Sequence, residues 1–468
     1  MGAFDAHFPP LRQSADPRAV AAIEHLLRDA PDRALYRLNA LAFAQERGID
    51  EEQTIAAFLH ATRLGLFELS WNVLCPACGG VLHAGTSLRS INGQEYRCAF
   101  CAAGYEPTLD EIVEVTFTVS PRLRRVAGHD PDSLPIWEYC RQMFWSSGVE
   151  LPENLEAIVE DITLEALELP PGEKAILSLR LPEKFIIIFD PVTHTTQYID
   201  VKGEPARERQ TLSLVFDGNM APNGPIELRP GPLRLSLENH CDVRLLPAVW
   251  VADERLNALL ARRRPYLTAK RLLSNQTFRD LYRTEILDVD QRLKITSMTF
   301  LFTDLRGSTE LYERVGDLAA FDLVKAHFHV LTDSVVAEAG AVVKTIGDAV
   351  MATFPAPERA IAAALRMREG MRRLNEEHQR EDLCLKIGIH EGACLAVTMN
   401  DRQDFFGQTV NMAARVQAMA DGRAILATDA VVDDSQSAIL LEGAGIRPEV
   451  RTAVLRGIPD EITLYEIP

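Results

Sequence analysis

The apolar residues of the C-terminal half follow two spacings, one typical of covered strands and one typical of helices. Residues 299–303 are mostly apolar on both faces, as in a strand that is packed on both sides. The stretch 310–339 carries apolar residues at helical spacing, and Ser308 and Thr309 just before it are good N-caps. A strand, a tight turn and a second strand then occupy 343–352. Together with the helix and strand that follow, this order predicts an α+β domain with a ferredoxin-like βαββαβ core.

The N-terminal half changes its pattern three times. Residues 1–70 show helical spacing that ends in a strand, which predicts a winged-helix-like segment, and 71–112 hold paired cysteines. Residues 113–251 form short alternating runs separated by Pro-Gly and Asp-Gly turns, and 252–292 return to a charged helical pattern. We therefore expect a helical domain, a zinc ribbon, a β-rich sandwich-like domain and a helical linker ahead of a domain over 293–468.

Charge and hydropathy narrow the classes of function. The 468 residues carry a net charge of −18, from 49 basic and 67 acidic side chains, which argues against a general role on nucleic acid or anionic membranes. The third predicted helix begins with the acidic stretch 50–53, so packing or dimer contact is favoured over DNA binding. Apolar runs such as 185–189 are too short to span a bilayer, and the N-terminus lacks a basic-then-apolar signal. We expect a cytoplasmic protein without a membrane span.

Four of the eight cysteines form two Cys-x-x-Cys pairs. Cys75 and Cys78 make the first pair, and Cys98 and Cys101 make the second. This doubled spacing predicts a zinc site, and four thiolates close the tetrahedron, so the zinc would be structural rather than catalytic. A redox pair or plain thiols are the alternatives.

Two aspartates stand at turns that suit a phosphate ligand. Asp304 ends the first strand, and the small residues Gly307, Ser308 and Thr309 follow it before the helix. A helix N-terminus behind such a turn favours phosphate, and a carboxylate beside it can hold a metal that bridges phosphates. Asp348 lies at the turn of the next hairpin, where a second carboxylate could face the first. Each aspartate alone also fits a plain turn residue.

A polar pair lies further along the chain. Asn411 and Arg415 are four residues apart in a predicted helix and therefore share one of its faces. Such a pair can address a ligand or form a solvated edge.

In their order and spacing these motifs resemble the class III nucleotidyl cyclases, the adenylate and guanylate cyclases, over roughly Leu293 to Pro468. The resemblance implies that Asp304 and Asp348 bind two Mg²⁺ or Mn²⁺ ions, with the carbonyl of Leu305 as a further ligand. Two carboxylates plus substrate oxygens suit the preference of Mg²⁺.

The resemblance also assigns the groups that contact the substrate. It implies that Lys344 and Asp404 read adenine, and that Asn411 and Arg415 position the ribose and stabilise the transition state. Arg456 matches a basic position that contacts the polyphosphate. The guanylate branch typically carries Glu and Cys in place of the lysine and the aspartate, so ATP is the expected substrate.

The expected reaction is attack of the ribose 3′-hydroxyl of ATP on its α-phosphate, which forms 3′,5′-cyclic AMP and releases pyrophosphate. In the family, one chain supplies the metal carboxylates and the other supplies the base-reading groups, so we expect a homodimer with composite sites. The alternatives are a cyclase for GTP or a pyrimidine nucleotide, and a catalytically silent scaffold. The N-terminal half resembles an uncharacterised module found ahead of bacterial cyclase domains, and it could bind a regulatory ligand or protein or act as a rigid spacer.

Overall fold

The computed structural model describes the greater part of the 468-residue chain, namely residues 4–218, 224–283, 287–288, 291–307, 313–381, 383–399, 401–422, 424–454 and 461–468. The chain divides into two compact units. The first comprises Met1–Pro107 and Ile112–Leu267, and the second comprises Thr108–Glu111 and Thr268–Pro468. The division after Leu267 therefore falls within the predicted linker 252–292. No helix of the described residues is long and apolar enough to cross a membrane.

Local capping chemistry sets the ends of the helices in the N-terminal unit. These helices are α1 (Phe8–Ser14), α2 (Pro17–Asp29), α3 (Ala40–Arg47), α4 (Glu51–Arg63), α5 (Ile136–Tyr139), α6 (Leu155–Glu160) and α7 (Glu254–Ala261). The side chain of Asp16 accepts hydrogen bonds from the backbone N–H groups of Arg18 and Ala19 and so fixes the start of α2. Asn39 and Asp50 cap α3 and α4 in the same way.

The described strands of the N-terminal unit form four sheets. They are β1 (Phe67–Leu74), β2 (Val81–Gly85), β3 (Tyr96–Cys98), β4 (Ala103–Tyr105), β5 (Val113–Val119), β6 (Thr163–Ala166), β7 (Lys174–Leu181), β8 (Phe185–Asp190), β9 (Thr195–Val201), β10 (Gln210–Phe216), β11 (Ile226–Leu228), β12 (Gly231–Asn239) and β13 (Ala248–Val251). The described sheet orders are β2-β1-β5, β3-β4, β10-β12-β7 and β11-β9-β8-β13-β6. The last two sheets share one apolar cluster, to which Leu214 and Leu235 contribute from one sheet and Ile188 and Val249 from the other.

The N-terminal domain boundaries remain predictions. Strand β1 runs through the expected boundary at 70/71, and β5 begins at the expected boundary at 112/113 while pairing with β1. The helical segment, the cysteine-rich segment and the two larger sheets lie within one compact unit. The winged-helix, zinc-ribbon and β-sandwich interpretations are not confirmed by these features.

One long central strand organises the C-terminal unit. Its strands are β14 (Leu293–Leu305), β15 (Ala341–Ile346), β16 (Ala349–Phe354), β17 (Leu385–Met399), β18 (Arg402–Phe406), β19 (Ile425–Thr428), β20 (Glu449–Val454) and β21 (Glu461–Ile467). Its helices are α8 (Ala269–Leu273), α9 (Gln276–Leu281), α10 (Asp317–Ala337), α11 (Pro357–Glu377), α12 (Gln408–Met419), α13 (Asp429–Val432) and α14 (Ser435–Gly443). The sheet order is β15-β16-β14-β17-β19-β21-β20, with β18 paired to β17. The predicted α+β content of this domain is confirmed.

Strand β14 is covered on both faces, as its apolar pattern predicts. Leu301 and Leu305 face a core that includes residues of α10 and α11, whereas Phe300 contacts Phe405 of β18 edge to face. The elements β14, α10, β15, β16, α11 and β17 follow the predicted βαββαβ order. Strand β14 lies between β16 and β17, so its C-terminal end is flanked by both strands.

The long helix differs from its prediction in its start and in its buried face. Within the described residues α10 begins at Asp317, because Gly316 precedes it with a φ of 79°. The apolar residues Leu318 and Phe321 fit the predicted stripe, but they are 86% and 61% exposed. The buried face of the helix includes Val324 and Leu331 of the predicted stripe and, in addition, Leu323 and His327. Residues 308–312, which contain the predicted N-caps, lie outside the described residues.

Candidate functional site

Two carboxylates lie at the ends of paired strands in the C-terminal sheet. Asp304 is the penultimate residue of β14, and Asp348 follows Gly347 in the turn between β15 and β16. Strand β16 pairs directly with β14, so this turn lies beside the end of β14. Burial raises the pKa of Asp304, the charge of Asp348 raises it further, and Lys386 lowers it. The two predicted metal carboxylates therefore interact electrostatically.

The Asp348 carboxylate is held in a way that suits a cation. Its Oδ2 is buried and has no hydrogen-bond partner among the described residues. A buried carboxylate oxygen without a donor is costly unless a cation compensates its charge. Hard divalent cations such as Mg²⁺ take carboxylate and carbonyl oxygens as ligands, so Asp304, Asp348 and the carbonyl of Leu305 fit such an ion.

A histidine that sequence reasoning missed supports the Asp348 turn. His327 is fully buried in α10, and its Nε2 donates a hydrogen bond to the backbone carbonyl of Asp348 at 3.2 Å. Burial lowers the pKa of His327, which keeps the ring neutral near pH 7. The only sequence signal for this residue is its spacing, four residues after Leu323 and four before Leu331 on the buried face of the helix.

Lys344 and Asp404, which are predicted to read the base, form an ion pair. The Nζ of Lys344 lies 2.5 Å from Oδ2 of Asp404. The side chain of Asp404 is 10% exposed and that of Lys344 is 40% exposed, so the pair opens to solvent on the lysine side. The other carboxylate oxygen, Oδ1, accepts a hydrogen bond from the backbone N–H of Phe405, which fixes the carboxylate. The pair presents one donor and one acceptor side by side.

Helix α12 carries Asn411 and Arg415 one turn apart. Asn411 is exposed and Arg415 is half-buried, and neither side chain forms a hydrogen bond or ion pair with the rest of the described chain. The helix packs closely on β17, because a Cβ at Gly388 would lie only 2.1 Å from the backbone nitrogen of Gln417. Any residue larger than glycine at position 388 would push the helix off the strand. Because Asn411 and Arg415 have no partner in the described chain, both side chains are available to a ligand or to a second chain.

The remaining predicted phosphate contacts are only partly described. Gly307 has a φ of 67°, a left-handed conformation that suits the expected tight turn after β14. Ser308, Thr309 and Arg456 lie outside the described residues. Their roles stay predictions.

The four cysteines of the paired motifs come together in the N-terminal unit. The Sγ atoms of Cys75, Cys78, Cys98 and Cys101 all lie within 4.8 Å of one another. The first pair lies between β1 and β2, and the second lies at the turn between β3 and β4. Hydrogen bonding with Cys101 lowers the pKa of Cys75 and of Cys98, whereas hydrogen bonding within the same cluster raises the pKa of Cys78 and of Cys101. No other cluster of three or more metal-ligating side chains occurs within the described residues.

Two family models match the chain. Residues 1–280 match a family of unknown function (DUF5939), which covers more than half of the chain. Residues 291–449 match the adenylate and guanylate cyclase catalytic domain. The second match contains both carboxylates, the Lys344–Asp404 pair and the polar residues of α12.

Relatives in other organisms match part of the chain. An adenylate cyclase of Mycosarcoma maydis is 30% identical over an alignment of 172 positions that covers 32% of this chain and 7% of the relative. An adenylate cyclase of Anabaena cylindrica is 27% identical over an alignment of 185 positions that covers 36% of each chain. The chain therefore spans about a third or less of the length of these relatives. Among solved structures, the adenylyl cyclase CyaB of P. aeruginosa aligns with a TM-score of 0.34 and 21% identity, over 38% of this chain and 96% of that one.

Proposed function

The chain belongs to the family of unknown function DUF5939 and carries a class III nucleotidyl cyclase domain, and from this premise we propose that it is an adenylate cyclase. The proposed reaction converts ATP into 3′,5′-cyclic AMP and pyrophosphate. The observation that carries the choice of ATP is the ion pair between Lys344 and Asp404. The adenine edge offers an N6 amino donor and an N1 acceptor. A carboxylate accepts from the first and an ammonium group donates to the second, whereas guanine would reverse both demands.

The carboxylate site supports catalysis with divalent ions. Asp304, Asp348 and the Leu305 carbonyl are the groups that would hold two Mg²⁺ or Mn²⁺ ions. The observation that fits this role is the buried Oδ2 of Asp348, which has no hydrogen-bond partner in the described part of the chain. Bound Mg²⁺ supplies charge neutralisation at the phosphates and makes the 3′-hydroxyl more acidic. The carboxylates cannot bind the phosphates directly, because both groups are negatively charged. Cationic side chains must therefore complete the site.

Asn411 and Arg415 are suited to complete it. The Arg415 guanidinium can donate to phosphate oxygens that gain charge in the transition state, where charge-assisted hydrogen bonds are strongest. The Asn411 amide can hold the ribose in the geometry for attack. Both side chains lack partners in the described part of the chain, which leaves their donors free to bind a ligand.

We further propose a two-fold homodimer in which one chain supplies the carboxylates and the other supplies the base-reading and ribose-contacting groups. Large apolar side chains lie exposed on the same unit, and such surfaces are typical of interfaces. They include Leu318, Phe321, Ile346, Phe406 and Met419. Ile346 and Phe406 are each two residues from a member of the Lys344–Asp404 pair, so an interface here would place a second chain beside the site.

The cysteine cluster supports a structural zinc ion. A tetrahedral site with Zn–S bonds of about 2.3 Å has edges of about 3.8 Å between sulfurs. The Sγ atoms of Cys78 and Cys98 are 3.7 Å apart, which matches that edge. Four protein ligands leave no open position, so the ion would stabilise the fold of the N-terminal unit rather than take part in the reaction.

The test of function is incubation of purified protein with each of the four NTPs and Mg²⁺ or Mn²⁺, followed by identification of the product by mass. We expect cyclic AMP from ATP, and no product from Asp304→Asn or Asp348→Asn variants that retain the wild-type melting temperature. Cyclic GMP or a cyclic pyrimidine nucleotide as the main product would overturn the base assignment. Absence of any product would favour a silent scaffold.

Mixing two inactive variants tests the composite site. Asp304→Ala and Arg415→Ala should each be inactive, and a mixed dimer has one intact site. If subunits exchange freely at equal amounts, half of the dimers are mixed and activity returns to roughly a quarter of wild type. No recovery, with exchange demonstrated by tagged pull-down, would contradict the two-chain arrangement.

A further inference from the structure

Helix α9, the last helix within the residues that match the family of unknown function, places a charged side chain next to the base-reading pair. The Nη2 of Arg279 donates to the backbone carbonyl of Gln403 at 2.9 Å and to that of Val343 at 3.4 Å. Gln403 directly precedes Asp404 in β18, and Val343 directly precedes Lys344 in β15. One guanidinium group therefore holds the backbone beside both members of the pair.

Each of the two strands that Arg279 joins has a single strand neighbour among the described residues. The pairing of β15 with β16 is shifted at Val343, since Val342 lies opposite Ala352 and Lys344 lies opposite Met351. Strand β15 is at the edge of the described sheet, and β18 pairs with β17 alone among the described strands. Bulged and edge backbone has unpaired groups and bends more readily than the centre of a sheet. A donor from outside the sheet can therefore determine where these two strands lie.

Helix α9 is itself fixed at this position by further contacts. The Oε1 of Gln276 accepts a hydrogen bond from the backbone N–H of Val342 at 2.8 Å. The Arg279 guanidinium also lies 5.9 Å from the centre of the Phe405 ring, within the range of a cation–π contact. Burial lowers the pKa of Arg279 to about 10, and the charge of Asp404 opposes that shift, so the guanidinium is charged near neutral pH.

We propose that Arg279 is a positioning residue that holds β15 and β18 at the spacing at which Lys344 and Asp404 both reach the base. This inference rests on the proposed function, because it names a selectivity-determining residue for the same site. When a nucleotide enters, the lysine must donate to N1 while the carboxylate accepts from the N6 amino group. Both hydrogen bonds form only at one separation of the two strands, and the Arg279 bridge maintains that separation.

The test compares full-length Arg279→Ala and Arg279→Lys with wild type on two substrates. ATP is one, and purine riboside triphosphate, which keeps N1 but lacks the N6 amino group, is the other. Arg283→Ala is the matched control, because Arg283 is an exposed arginine that lines the same cavity of about 170 Å³ as Arg279. We expect KM for ATP to rise at least about tenfold in Arg279→Ala with a smaller change in kcat, since hydrogen bonds from a charged donor are lost.

The ratio of kcat/KM for the two substrates separates positioning from general stability. Loss of positioning should shrink the preference for ATP, and Arg279→Lys should restore part of it because it keeps the charge and a donor. A variant that loses activity on both substrates by the same factor would overturn the inference. If Arg279→Ala does not fold, the ratio of kcat/KM for the two substrates is measured on Arg279→Lys. If wild type forms no cyclic AMP, the proposed function fails and the inference fails with it. If wild type forms cyclic AMP and the ratio is unchanged in both variants, the inference alone is wrong.

Discussion

Replacement of Gly388 by alanine would test whether the contact between β17 and α12 determines the rate of the proposed reaction. The added Cβ would lie 2.1 Å from the backbone nitrogen of Gln417 and 2.4 Å from its Cα. Backbone atoms cannot rotate away as a side chain can, so the helix must move off the strand by about 1 Å to reach a tolerable contact. Helix α12 carries Asn411 and Arg415, and both would move with it.

The size of the effect follows from this displacement. A misplacement of about 1 Å at catalytic groups can cost about 100-fold in rate, so we expect kcat to fall by about that factor. Overpacking of this kind costs about 1–3 kcal/mol of folding free energy. For a domain of this size, each kcal/mol lowers Tm by about 2–4 °C, so the protein remains folded at 25 °C.

The assay is steady-state formation of cyclic AMP, together with Tm from circular dichroism. Gly443→Ala is the matched control, because it makes the same chemical change in α14 and its Cβ would meet nothing within 4 Å. We expect the control to keep the wild-type kcat. If Gly388→Ala retained wild-type kcat while its Tm fell, the helix would be able to move without consequence, and the reasoning that links this spacing to catalysis would be wrong.

Two further predictions follow from the buried polar groups. Replacing Cys75 and Cys98 together by serine should release one metal ion per chain and lower the Tm of the N-terminal unit. Cys241 lies outside the cluster, so Cys241→Ser should change neither the metal content nor the Tm. Metal analysis that finds no zinc in wild-type protein prepared without chelators would contradict the site. His327→Leu should raise the Mg²⁺ concentration needed for half-maximal activity, because the Asp348 carbonyl loses a buried hydrogen bond worth about 1–3 kcal/mol. His329 is exposed, so His329→Leu should leave this Mg²⁺ concentration unchanged. An unaltered Mg²⁺ requirement in His327→Leu would show that the turn does not depend on His327.

The catalytic fold was predictable because its signals are local. Strand β14 is apolar on both faces and is covered on both faces, and the hairpin around Gly347 has a glycine with a φ of 65° where the tight turn was expected. The aspartates and the Lys344–Asp404 pair were selected for a different reason, because their identities recur in order in a known family. Their roles stay predictions, and the structure adds that the lysine and the carboxylate of Asp404 lie within hydrogen-bond distance.

Helical spacing was a less reliable guide to burial and to helix length. Leu318 and Phe321 continue the apolar stripe of α10 and yet are exposed, because spacing identifies an apolar face but not whether the same chain covers it. The charged helical pattern of 252–292 predicts one helical linker. Thr268 caps α8 and Asn275 caps α9, so these capping side chains divide it into short helices.

The residues that sequence reasoning missed share a physical cause. Arg279 and His327 donate to backbone carbonyls that are distant in sequence, and a carbonyl is present at every residue whatever its side chain. The residue types at Val343 and Asp348 therefore do not indicate that their carbonyls accept a hydrogen bond from a distant side chain. When two side chains contact each other, the contact requires a particular residue type at both positions. When a side chain bonds to a backbone carbonyl, the contact requires a particular residue type at one position only. Residues that position a site through its backbone can therefore be found only once the fold is known.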